Sequence, residues 1–121
     1  MSTFVQIHSL FAWALVLYFA ALGLWGLFLA VRRLPMTPAF GGALAIGVIL
    51  GVGQALLGLV LLVIGGRPRD DLHYLYGLSI IVALPLAQQL ITNRTISRPL
   101  AFGLAGLFTM GLAIRAITTG A

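Results

Sequence analysis

The 121 residues carry only nine charged side chains, seven Arg and two Asp, and these stand in a few short clusters. The clusters leave four uncharged runs: 1–31, 34–66, 72–93 and 99–114. A helix that crosses the hydrocarbon of a bilayer needs ~20 apolar residues at a rise of ~1.5 Å each. The first three runs meet that length outright. The fourth meets it if the helix continues through Arg115 to about Thr119, with the arginine snorkelling or turned inward. With 61% hydrophobic and 7% charged residues, a soluble fold could not cover its surface with polar side chains. A soluble enzyme, a nucleic-acid binder and a disordered chain are therefore excluded. The net charge of +5 reflects arginines set against almost no acids, and it reads as membrane-flanking charge. Absence of cysteine removes disulfides and thiolate chemistry. The opening Met-Ser-Thr-Phe-Val-Gln lacks a basic n-region, so the first apolar run is expected to stay in the membrane.

The pattern predicts an all-α membrane protein, an antiparallel bundle of four transmembrane helices over about 4–31, 39–65, 71–92 and 99–118. Breakers fall between them: Pro35 and Pro38, then Gly65-Gly66-Arg67-Pro68, then Asn93 and Pro99. Pro85 lies inside the third helix, which a membrane bundle tolerates. Gly47 and Gly51, and Gly23 with Gly26 and Ala30, are spaced for close helix contacts. Residues 1–121 read as one domain, with a faint repeat of two hairpins, about 1–65 and 66–121. His8-Ser9-Leu10-Phe11-Ala12 and His73-Tyr74-Leu75-Tyr76-Gly77 share the order His, any, Leu, aromatic, small. Four spans place both termini and the 66–70 loop on one side. Arg32, Arg33, Arg94 and Arg98 on the other side outnumber Arg67, Arg69 and Arg115, a bias that puts the termini outside.

His8 and His73 are the only two histidines. They open helices that run in the same direction, so their imidazoles lie near the same membrane face. In a four-helix bundle, one histidine from each of two helices can supply both axial ligands to a haem iron. Ala12 and Gly77, each four residues on, keep the same helix faces free of bulk for a macrocycle. The alternative is a pair of interfacial polar residues satisfied by headgroups and water. Gln54, mid-span in the second helix, needs an interior partner, either a cofactor edge, a group next to a ligand histidine or another helix. Arg115 could meet a haem propionate or snorkel to phosphates. Trp13, Tyr18, Trp25, Tyr74 and Tyr76 read as belt or packing residues.

Gln54-Ala55-Leu56-Leu57-Gly58, then Gly65, then Leu72-His73, resembles the haem-binding half-bundles of haem A synthase. His8 and the basic pair Arg32-Arg33 fit the preceding helix of that pattern, so the likeness spans about residues 4–92. It implies that His8 and His73 ligate one haem b as a bis-histidine iron, on the outward side of a bacterial inner membrane. That family has two such bundles per chain, a glutamate near the first histidine and, in part of the family, an outer cysteine pair. Here there is one bundle, no glutamate and no cysteine, and no catalytic residue is assigned. The expectation is a cytochrome b-like protein for electron transfer or haem handling, possibly within a respiratory or photosynthetic complex. The alternative is a cofactor-free structural subunit of a larger membrane complex. The expected partners are lipid and either other membrane subunits or a second copy of the chain, with no nucleic acid.

Overall fold

The computed structural model describes residues 2–91 and 97–120, so Asn93 and Arg94 lie outside the described residues. Four helices follow one another: α1 (Ser2–Val31), α2 (Pro38–Val63), α3 (Leu72–Ile91) and α4 (Arg98–Gly120).

Their ends follow from local chemistry. Thr37 caps α2 by accepting from the Phe40 backbone N–H at 3.1 Å, and Pro38 occupies the first turn, where no intrahelical donor is needed. Ser97 serves α4 in the same way through the Leu100 N–H, at 3.3 Å. The Asp70 carboxylate accepts from the Leu72 N–H at the start of α3, at 3.0 Å. Both α1 and α2 end in the same reversed turn. The Leu34 N–H reaches back to Leu29 O (2.8 Å) and the Arg33 N–H to Ala30 O (3.1 Å), while Gly66 bonds Leu61 O and Gly65 bonds Leu62 O. That turn demands a left-handed residue, which is Gly65 at φ 103° in one case and Arg33 at φ 55° in the other. Arginines close the remaining carbonyls at the opposite end. Arg67 donates to Leu62 O and Gly66 O, and Arg69 donates to Thr118 O at the end of α4.

The helices form an antiparallel ring in which α1 packs on α2 and α4, and α3 packs on α4 and more lightly on α2. The tightest seam is α1 against α4. A Cβ on Gly26 would lie 2.6 Å from the Gly103 Cα, and one on Gly106 would lie 3.0 Å from the Gly23 N. Here backbone meets backbone, which is how helices associate where lipid removes the hydrophobic drive between them. Gly47 likewise admits the Phe19 and Tyr18 rings, at 3.1 and 3.2 Å from its would-be Cβ, whereas Gly51 makes only ordinary contact with Ile80. Phe19, Leu15 and Phe40 are the centre of the core, joined by Leu84 and Phe102.

By length and composition, α1, α2 and α4 can each cross a membrane, and the chain is a membrane-embedded all-α bundle. The fourth run qualifies because α4 continues through Arg115 to Gly120. The apolar centre of α3 is flanked by His73, Tyr74 and Tyr76 at one end and Gln88 and Gln89 at the other.

Candidate functional site

His8, His73 and Gln54 come together at the end where α1 and α3 begin. His8 lies two turns into α1 and His73 in the first turn of α3. Their rings meet edge to face, with centroids 6.0 Å apart and planes at 74°. Each imidazole is seated against a glycine of the helix paired with its own. A Cβ on Gly58 of α2 would lie 3.3 Å from His8 Cε1, and a Cβ on Gly120 of α4 would lie 2.8 Å from His73 Cε1 and Nδ1. One turn before each glycine comes a hydrogen bond. Gln54 Nε2 donates to the His8 carbonyl at 2.7 Å. His73 Nδ1 lies 2.7 Å from the Ala116 carbonyl. A carbonyl only accepts, so His73 Nδ1 carries a proton, and the lone pair of the neutral ring is on Nε2. Among the described residues, His8 Nδ1 and Gln54 Oε1 are buried side-chain atoms without a hydrogen-bond partner.

The structure thus brings His8, His73 and Gln54 together. Arg115 is exposed, with its guanidinium carbon 5.6 Å from the centre of the Tyr76 ring. Gly77 faces open space, since a Cβ there would meet nothing within 4 Å, and Ala12 is half-buried on α1. Gly58 and Gly120, which hold the rings, went unnoticed in the sequence because the contact crosses between helices. The only local signal was that Gly58 ends the Gln54–Gly58 stretch. Tyr18 donates to the Ala43 carbonyl and Trp25 meets Phe40 edge to face, so both are packing residues.

The expected haem b with a bis-histidine iron is corrected by this donor set. Among the described residues no group of three or more His, Cys, Asp or Glu side chains could hold a metal ion. The two imidazole rings instead contact each other directly, with centroids 6.0 Å apart, and Arg115 lies over the Tyr76 ring.

Gln54→Leu is expected to change stability by no more than ~0.5 kcal/mol, because it removes one interhelical bond and one unsatisfied buried oxygen together. Denaturation of the detergent-solubilised variant beside the parent checks this.

No protein-family model, curated protein or solved structure matches the chain, so nothing ties it to haem A synthase beyond the short motifs.

Proposed function

We propose that the chain is a small subunit of a membrane complex, with all four helices crossing the bilayer and both termini outside. It works by packing in the membrane, and His8 and His73 tie the α1–α2 hairpin to the α3–α4 hairpin. The observation that carries the four-span reading is the outer face of α3. Leu75, Leu78, Val82 and Leu86 follow one another at helical spacing and are 58, 62, 46 and 53% exposed. On α2, Ile49, Val52, Leu56, Leu59 and Val63 form the same kind of outward stripe. A helix with such a stripe, packed between two neighbours, belongs in the same apolar surroundings as they do. Loops of a few residues leave little of the described chain outside the helices to do chemistry.

The absence of native cysteine makes the topology directly testable. Single variants Leu34→Cys, Gly66→Cys and Ser97→Cys are labelled in sealed vesicles with an impermeant maleimide. The expected result is that Leu34→Cys and Ser97→Cys react from the cytoplasmic side and Gly66→Cys from the other. Labelling of Gly66→Cys and Ser97→Cys from one side would mean that α3 does not cross. Co-migration with other membrane proteins on native gels is expected for a subunit, and a lone monomer would count against it. A reduced-minus-oxidised spectrum with sharp α and Soret bands, lost in His8→Ala and His73→Ala, would overturn the structural role of the histidines.

A further inference from the structure

The end of the bundle away from the histidines holds two adjoining open depressions. One, of about 490 Å³, is lined by Arg33, Ser97 and Arg98 together with Leu34, Pro35 and Met36. The other, of about 270 Å³, is an apolar groove between α2, α3 and α4, with Leu44, Val48, Leu84 and Phe102 among its walls. Met36 and Arg98 line both, so an open basic depression adjoins a mostly apolar surface groove. No carboxylate side chain balances the two arginines there. The only acids of the chain, Asp70 and Asp71, lie at the other end of α4, where the Asp70 N–H bonds Thr119 O. Arg98 leans on the Phe102 ring, with its guanidinium carbon 5.9 Å from the centroid, a neutral partner that leaves the charge available.

Arg33 adds a separate observation. It occupies the left-handed position of the turn that ends α1, at φ 55°, where α2 uses glycine. An arginine held in that conformation is strained where glycine would not be, and strain kept beside the depression points to use of the side chain.

We propose that this end of the bundle binds an anionic phospholipid, with the headgroup phosphate between Arg33 and Arg98 and one acyl chain along the groove beside Leu84 and Phe102. Arginine is the side chain suited to phosphate, and basic pockets between membrane helices take anionic headgroups.

The test uses the full chain in mixed micelles, with phosphatidylglycerol or phosphatidylcholine of the same acyl chains, or inorganic phosphate alone. Binding is read by native mass spectrometry and the melting temperature. Phosphatidylglycerol is expected to be retained and to raise the melting temperature, while phosphatidylcholine and inorganic phosphate do neither. Arg98→Gln and Arg33→Gly are each expected to weaken phosphatidylglycerol binding about fivefold. Arg67→Gln, at the other end, leaves it unchanged. Arg33→Gly relieves the left-handed strain, so by itself it is expected to melt no lower than the parent, and lost binding then cannot be lost folding. Equal retention of the two lipids, an equal effect from inorganic phosphate, or undiminished binding by Arg33→Gly would overturn the proposal.

Discussion

Gly103→Ala is expected to lower the unfolding free energy by roughly 3 kcal/mol, the upper part of the range for overpacking. The added Cβ would lie 2.8 Å from the Leu27 N, 3.0 Å from the Gly26 carbonyl carbon and 3.1 Å from the Gly23 O. All three are backbone atoms of α1, so no side chain can swing aside, and the two helices must separate along the whole seam. In lipid that seam is held by dispersion between closely apposed backbones, which falls off within a fraction of an ångström of separation. The measurement is unfolding of the detergent-solubilised protein by titrated dodecyl sulfate. Gly111→Ala is the control, since nothing lies within 4 Å of its Cβ and the better helix propensity of alanine favours it by up to ~1 kcal/mol. If Gly103→Ala and Gly111→Ala unfold alike, α1 and α4 are not in backbone contact.

Phe40→Ala should cost about 3 kcal/mol, the low end of what such truncations cost in soluble cores. Phe40 is fully buried in the first turn of α2 and meets Trp25 edge to face, with centroids 5.1 Å apart and planes at 70°. A water-soluble core loses both transfer energy and packing when such a ring is removed. In a bilayer the separated helices still keep the ring among acyl chains, so the transfer part largely cancels and the cavity part remains. Unfolding of Phe40→Ala in a Trp13→Phe background, followed by Trp25 emission, measures the loss and reports the loosened ring contact together. An unchanged midpoint and emission would mean that this corner of the bundle is not packed as described.

The helices were legible because membrane thickness imposes a length on apolar runs, and the arginine clusters mark where each run stops. Pro38 was legible as a breaker beside the expected start of α2, whereas the Thr37 cap was not read from the sequence. Gly23 and Gly26 were legible as a contact face, although their partners Gly103 and Gly106 were not, because spacing on one helix says nothing about which helix answers it. The meeting of His8 with His73 followed from counting helix directions. What the sequence did not reveal was what surrounds them. The seats on Gly58 and Gly120 and the bond to the Ala116 carbonyl depend on the rotation of each helix about its axis, which a uniformly apolar pattern leaves unspecified. For the same reason the sequence left Arg115 between a propionate and lipid phosphates; it is exposed and lies over the Tyr76 ring. The end of α1 at Arg33 carried no glycine signal at all.

The backbone seam between α1 and α4 joins the earliest and the latest made of the four described helices. While the chain emerges from the ribosome, α1 and α2 can pair at once, but the face of α1 that carries Gly23 and Gly26 must stand open in lipid until α4 has been inserted. Closure of the ring is therefore the latest and longest-range contact among the four helices. A ribosome stalled before Arg98 would hold a hairpin with a notched, unfilled side. Until its own last helix arrives, that notch could accept a small-residue helix from another protein.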